Sequence, residues 1–124
     1  MAASIQDVPL SSSHPPKLNP QQARAVHKID GPMLVLAGAG SGKTRVITEK
    51  IAHLIGPCGI AANHIAAVTF TNKAADEMRS RVKGLLGGKS SRGLRISTFH
   101  RLGLSILQRE CKRLDYQPGF SVFA

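Results

Sequence analysis

The 124 residues correspond to one domain or part of one, with a single modest hydrophobic core. Their formal charge of +10 comes from 17 Lys and Arg against 7 Asp and Glu, and residues 73–113 hold eleven of the basic and three of the acidic side chains. This balance suggests a polyanionic partner, although a solvated basic surface would show it as well. The two cysteines lack metal-ligand spacing and no apolar run approaches a membrane span. A disulfide framework, a zinc site and a membrane partner are therefore not indicated, and we expect a cytoplasmic location.

The N-terminal part of the chain changes character near residue 18. Residues 1–16 are rich in Ser and Pro without a sustained period, which predicts a flexible tail. Asn19 is then predicted to be the N-cap of a helix, with Pro20 at the first helical position. Gln22, in this short helix, has an amide that could read an adenine edge, although a lone exposed glutamine is usually just solvated.

A glycine-rich segment follows a short apolar run. Met33 to Leu36 has the length and apolarity of a strand buried on both faces, and a helical pattern begins directly after Lys43. Glycines between them let successive N–H groups approach a phosphate. Lys43 would bring charge to the β- and γ-phosphates, and the Thr44 hydroxyl would be a ligand for Mg²⁺. With Ala37 at its first position the segment matches a relaxed phosphate-binding loop, which predicts that nucleotide phosphates and Mg²⁺ bind here; a glycine turn that binds nothing is the alternative.

The predicted catalytic residues are Lys43 and Thr44. The residues predicted to contact the nucleotide are Gln22, Ala37, Gly38, Ala39, Gly40, Ser41, Gly42, Lys43, Thr44 and Arg45. Arg45 can also pair with Glu49 on the outside of the following helix.

Three β-α units are predicted in series. Strands are expected at residues 33–36, 65–70 and 94–98, and helices at about residues 43–55, 71–86 and 99–113. The inward apolar residues of these helices would be Ile47, Ile51, Leu54, Ile55, Ala75, Met78, Val82, Leu85, Leu86, Phe99, Leu102, Ile106 and Leu107. Such units predict the α/β class, with a parallel sheet of three strands and flanking helices.

Ligands collect at the carboxyl ends of strands in an open parallel sheet. The second and third predicted strands end in segments with hydroxyls, a basic or imidazole donor and an aromatic ring, which suit backbone contacts and base stacking in a nucleic acid. The candidate nucleic-acid residues are Phe70, Thr71, Asn72, Thr98, Phe99 and His100. Alternatively, the two phenylalanines belong to the core and the polar side chains cap helices, although a cap can also bind phosphate.

Four segments, in this order, resemble motifs of the superfamily 1 DNA helicases of the UvrD/Rep type. Residues 18–22 resemble the Q motif, residues 37–44 motif I, residues 69–75 motif Ia and residues 97–100 motif Ib. The resemblance implies an ATP-driven 3'-to-5' translocase that unwinds duplex DNA in replication or repair. It also implies that Gln22 reads adenine, that the loop holds the triphosphate and Mg²⁺, and that the six strand-end residues line a track for single-stranded DNA.

By the same resemblance, residues 17–113 are the first part of a RecA-like ATP-binding domain, and residues 114–124 begin the connection to an inserted subdomain. The family's acidic motif II, Asp-Glu-x-x-Asp/Glu, has no match in the sequence. We therefore expect the 124 residues alone not to hydrolyse ATP. Single-stranded DNA and duplex junctions are the expected partners, and a monomer and a dimer remain open. The rival functions are another phosphate-loop ATPase acting on nucleic acid and a non-catalytic nucleic-acid-binding module.

Overall fold

The computed structural model describes residues 17–38 and 42–120. The predicted flexible tail at residues 1–16 and the middle of the glycine loop at residues 39–41 lie outside these ranges. The elements are α1 (Pro20–His27), α2 (Lys43–Ile55), β1 (Ala66–Thr69), α3 (Asn72–Leu86), β2 (Arg95–Thr98) and α4 (Phe99–Arg109), with 3₁₀ turns at Ala62–His64 and Cys111–Leu114. The helix predicted at residues 43–55 is confirmed, and Asn19 caps α1 with Pro20 at its first position, as predicted.

The two strands pair in parallel around the connecting helix α3. Ala66 is in register with Arg95, and Thr69 with Thr98. The Arg95 N–H donates to the Ile65 carbonyl at 3.2 Å. Since the N–H and C=O of one residue in a parallel ladder point to the same side, Ile96 directs its polar groups to the opposite, outer edge of β2.

Two apolar clusters hold the helices. The larger one joins the C-terminal half of α2 to α3 and the sheet, and it consists of Ile51, Ala75, Met78, Val82, Leu86 and Ile96. The smaller one joins α1 to the N-terminal half of α2, and it consists of Ala25, Val26 and Val46, with Leu18 packed against it. Helix α2 therefore connects the two parts of the molecule.

The predicted first strand is wrong. Residues 33–36 form no strand, and Leu34 and Leu36 are 82% and 86% exposed. A strand needs a neighbour for its backbone hydrogen bonds, and no described residue pairs with this segment. The described part of the chain therefore contains a two-stranded parallel sheet instead of the expected three strands.

The inward face predicted for the last helix is also wrong. Helix α4 ends at Arg109 and has no buried residue, and Phe99 and Ile106 are among its exposed side chains. Helix α3 is enclosed by α2 and the sheet, whereas the main contacts of α4 are with the short strands and the 3₁₀ turn that follows it. Ile47 and Leu85 were also predicted inward and are exposed, because no described element covers them. Among the described helices, none is long and apolar enough to cross a membrane.

Candidate nucleotide and nucleic-acid site

Helix α1 fixes the side chain of Gln22 through a reciprocal cap. The Asn19 Oδ1 accepts the Gln22 backbone N–H at 2.8 Å, and the Gln22 Oε1 accepts the Asn19 backbone N–H at 3.0 Å. Such a capping box satisfies two amides that the first helical turn leaves open. The predicted adenine-reading glutamine is therefore held at the start of α1, with its amide oxygen turned to the helix N-terminus.

Gln22 lies against Gly42, the N-cap residue of α2. A Cβ built on Gly42 would lie 3.0 Å from the Gln22 Nε2, which is closer than most side-chain contacts. Gly42 also has a φ of 83°, in the left-handed region where a side chain is strained. Glycine at this position thus permits both the turn and the close approach of Gln22.

The N-terminus of α2 differs from those of the other helices. Asn19, Thr71 and Thr98 cap α1, α3 and α4 with a side-chain oxygen, whereas Gly42 makes no side-chain cap for α2. The open N–H groups lie at the positive end of a 13-residue helix, an arrangement that favours an anion. Lys43 is exposed in the same turn. A phosphate group would fit this position.

The other predicted nucleotide residues have mixed outcomes. Ala37 and Gly38 are exposed ahead of the helix, while Ala39, Gly40 and Ser41 lie outside the described residues. The Arg45 Nε is 3.9 Å from the Glu49 Oε1, which confirms the expected pair. Thr44 is exposed in the first turn of α2.

The residues described can take part in a Mg²⁺ site only in a limited way. Within the described ranges, no group of three or more His, Cys, Asp or Glu side chains could hold a metal ion. The exposed Thr44 hydroxyl is one oxygen atom that could serve as a ligand. Because Mg²⁺ retains waters and commonly binds one or two protein groups plus substrate phosphates, this donor set fits a metal carried in with the nucleotide.

Lys50 joins α2 to the end of α1, a contact that no local sequence pattern signals. Its Nζ donates to the Ala25 carbonyl at 2.9 Å and to the Lys28 carbonyl at 2.5 Å. These carbonyls lie at the C-terminus of α1, where a cation is favourable. The rings of His27 and His53 meet edge-on at 4.6 Å between the same two helices. Helix α1, which carries Gln22, is therefore held against α2 by polar and ring contacts.

The strand ends bring two exposed rings together. Phe70 is 86% exposed and Phe99 52% exposed, and their ring centroids are 5.6 Å apart. Within the described residues, neither ring is part of a buried cluster. Exposed aromatic rings of this kind suit base stacking.

The hydroxyls at the strand ends act as helix caps. The Thr71 Oγ1 accepts the Ala74 N–H at 3.1 Å, and the buried Thr98 accepts the Arg101 N–H through its Oγ1 at the same distance. Asn72 and His100 are exposed in the first turns of α3 and α4. Two capped helix N-termini therefore flank the ring pair, and Thr98 has the least access to a ligand of the six predicted residues.

The described residues define an α/β protein with a small parallel sheet, an exposed aromatic pair at the strand ends and a helix, α2, whose N-terminus has no side-chain cap. The chain matches the family model of the UvrD/REP helicase N-terminal domain over residues 18–124, and it belongs to this family. This match confirms the resemblance drawn from the four motifs.

Two named relatives illustrate the likeness. The chain is 64% identical over 107 residues to the ATP-dependent DNA helicase Rep of Escherichia coli strain K12, which covers 86% of this chain and 16% of the relative. It is 49% identical over 105 residues to the ATP-dependent DNA helicase PcrA of Bacillus subtilis strain 168, covering 85% of this chain and 14% of the relative. The likeness to Rep expected from the motifs is confirmed, since the identity to this Rep exceeds the identity to this PcrA. The chain thus spans about a sixth of the length of the curated relatives it matches.

Proposed function

We propose that the chain is the nucleotide-binding beginning of an ATP-dependent 3'-to-5' translocase that unwinds duplex DNA in replication or repair. The uncapped N-terminus of α2, with Gln22 against Gly42, is the observation that carries this proposal. The names of the relatives, ATP-dependent DNA helicases, support it. In this proposal residues 17–113 start a RecA-like domain and residues 114–124 lead to an inserted subdomain. The two free cysteines, Cys58 and Cys111, are compatible with the reducing cytoplasm.

The proposed nucleotide contacts follow from the geometry of α1 and α2. Gln22 offers its amide to the adenine edge while the capping box holds its side chain. The open N–H groups of α2 bind phosphate oxygens, and Lys43 adds positive charge to the β- and γ-phosphates. Bound Mg²⁺, with Thr44 as a ligand, would neutralise charge on the same phosphates. Arg45, at the next position of the helix, is a further proposed contact to the nucleotide.

The proposed DNA contacts lie at the strand ends. Phe70 and Phe99 stack on bases, and the first turns of α3 and α4 approach the phosphates through Thr71, Asn72, Thr98 and His100. Single-stranded DNA at a duplex junction is therefore the proposed substrate. The ring pair favours this function over a phosphate-loop ATPase of another kind, which would need no stacking platform here.

Lys43→Ala tests the nucleotide site. The test uses a protein of the same length as the helicase relatives. We expect ATP turnover to fall by at least about 100-fold, because a preorganised cation at a transferring phosphate contributes several kcal/mol. Lys83→Ala is the control, since Lys83 is exposed on α3. Turnover within tenfold of the unmodified protein would contradict the assignment.

The 124 residues alone should bind nucleotide without turnover, whereas a pure nucleic-acid-binding module would show no Mg²⁺-dependent response to ATP.

Phe70→Ala and Phe99→Ala test the DNA track. Each should weaken binding of single-stranded DNA by about 1 to 3 kcal/mol, the usual contribution of a base stacked on a ring. Thermal unfolding should change little, because both rings are exposed. Tyr116→Ala, at another exposed ring, should leave DNA affinity unchanged. A lowered melting temperature with unchanged affinity would instead show that the two rings serve packing.

A further inference from the structure

A basic groove follows the outer edge of β2. It has a volume of about 640 Å³ and is bordered by β2, by α4 and by one side chain of α3. Three of its lining side chains are the arginines Arg79, Arg95 and Arg101, and no acidic residue lines it. Ser105 and Gln108 add polar groups from α4. The groove therefore offers positive charge and hydrogen-bond donors along an open strand edge.

Arg79 makes this edge unsuitable for another β-strand. The outward-facing Ile96 carbonyl accepts two hydrogen bonds from Arg79, from Nε at 3.1 Å and from Nη2 at 2.9 Å. Asp76 holds the same guanidinium through an ion pair. A strand added to β2 would have to displace Arg79, because it needs this carbonyl for its own ladder. A polyanion needs no such displacement, so it fits the groove better than an extended peptide does.

The other two arginines are available for a ligand. Among the described residues, neither Arg95 nor Arg101 takes part in an ion pair. Arg101 is exposed and Arg95 is half-buried on the strand. A guanidinium presents its donors in a planar fork that matches two phosphate oxygens. Phosphate groups are therefore the chemistry that this pair recognises.

The groove and the aromatic pair both involve residues of the first turn of α4. Arg101 is in the first turn of α4, two positions after Phe99, and Gly93 lines the groove at the opposite end of β2. A DNA strand that stacks its bases on the two rings would bring its next phosphates to Arg101 and then to Arg95. We propose that this groove binds the phosphate backbone of single-stranded DNA and extends the track beyond the ring pair. The proposal rests on the DNA-binding function argued above.

The test measures how DNA affinity depends on salt. Each phosphate contact on a single strand contributes about 0.7 to the slope of log K against log salt, so Arg95→Ala with Arg101→Ala should lower the slope by about 1.4. Arg24→Ala with Arg81→Ala removes the same charge from exposed positions outside the groove and should lower it by less than half as much. Arg95→Lys with Arg101→Lys keeps the charge and should retain the slope. Thermal unfolding of each variant shows that the fold is kept.

Each outcome decides the proposal separately from the function. If the groove pair and the control pair lower the slope equally, the groove does not bind DNA. This result would overturn the proposal, whether or not the groove binds an acidic protein instead. A salt slope that falls as much in the Lys variant as in the Ala variant, at an unchanged melting temperature, would overturn the role of charge. If Phe70→Ala and Phe99→Ala leave affinity unchanged while the groove pair lowers the slope, the ring track fails and the groove stands.

Discussion

The proposed nucleotide side, α1 with the N-terminal half of α2, and the proposed DNA side, α3 with the sheet and the first turn of α4, are held together in different ways. On the DNA side, α3 packs with α2 and the sheet through six buried residues. On the nucleotide side, a cluster of three buried residues is supplemented by the capping box of α1 and by Lys50. Directed hydrogen bonds thus position Gln22, whereas apolar burial positions the strand ends.

The difference agrees with the role proposed for each side. A phosphate loop must leave backbone N–H groups open and a glycine in the left-handed region, so the first turn of α2 cannot be stabilised by a cap or a bulky side chain. A stacking platform needs exposed rings on rigid supports, and the strands and capped helices provide them. The two sides are connected through α2, whose Val46 and Ile51 belong to different clusters.

The largest expected difference between the two sides concerns apolar truncation. Met78→Ala should lower the free energy of unfolding by about 2 to 5 kcal/mol, because it leaves a cavity between α3, α2 and the sheet. Leu34→Ala should change it by less than about 0.5 kcal/mol, since Leu34 is exposed. Urea unfolding of both variants measures this. A similar loss in both would mean that residues 33–36 are packed in solution, and the contrast between the two sides would fail.

Local signals in the sequence predicted the helices and their caps. Asn19 is the N-cap of α1 and Pro20 its first residue, both as predicted, and Gly42 and Gly56 lie at the ends of α2. Such interactions depend on residues a few positions apart, so a reading of the sequence finds them. The parallel pairing of β1 and β2 was also predictable, because a helical crossover between two apolar runs favours it.

Features that depend on distant neighbours escaped prediction. Met33 to Leu36 has the composition of a buried strand, but no described residue supplies the ladder that a strand requires. The exposed stripe of α4 had the same cause, since periodicity shows an apolar face without showing what covers it. Lys50 reaches the end of α1 across a tertiary contact, and a lysine on a helix gives no signal of that role.

The link through Lys50 provides a second test of the comparison. Lys50→Met keeps the aliphatic stem and removes both hydrogen bonds to α1, so the free energy of unfolding should fall by about 1 to 2 kcal/mol. Nucleotide affinity should fall as well, because α1 carries Gln22. Lys83→Met, at an exposed position of α3, is the matched control and should affect neither quantity. Equal effects of the two substitutions in thermal unfolding and nucleotide titration would show that the polar link does not hold α1.

The smallest expected effect concerns Asn19, which positions Gln22 without contacting the nucleotide in our proposal. Asn19 accepts the Gln22 N–H, and the Gln22 side chain in turn accepts the Asn19 N–H. The amide oxygen of Gln22 has a second lone pair, so it can keep this bond and still accept from the amino group of adenine. Removing the Asn19 side chain would therefore loosen the amide that reads the base, while the phosphate contacts of α2 stay in place.

Asn19→Ala should lower the free energy of unfolding by about 1 kcal/mol, the usual effect of a lost N-cap. It should also reduce the preference for ATP over GTP in KM, with kcat for ATP little changed, because Lys43 and the open turn of α2 are unaffected. Asn19→Asp keeps an oxygen acceptor at the cap and should restore both the stability and the base preference. If Asn19→Ala loses stability and keeps the full preference for ATP, the capping box supports the helix alone, and Gln22 is positioned by its contact with Gly42.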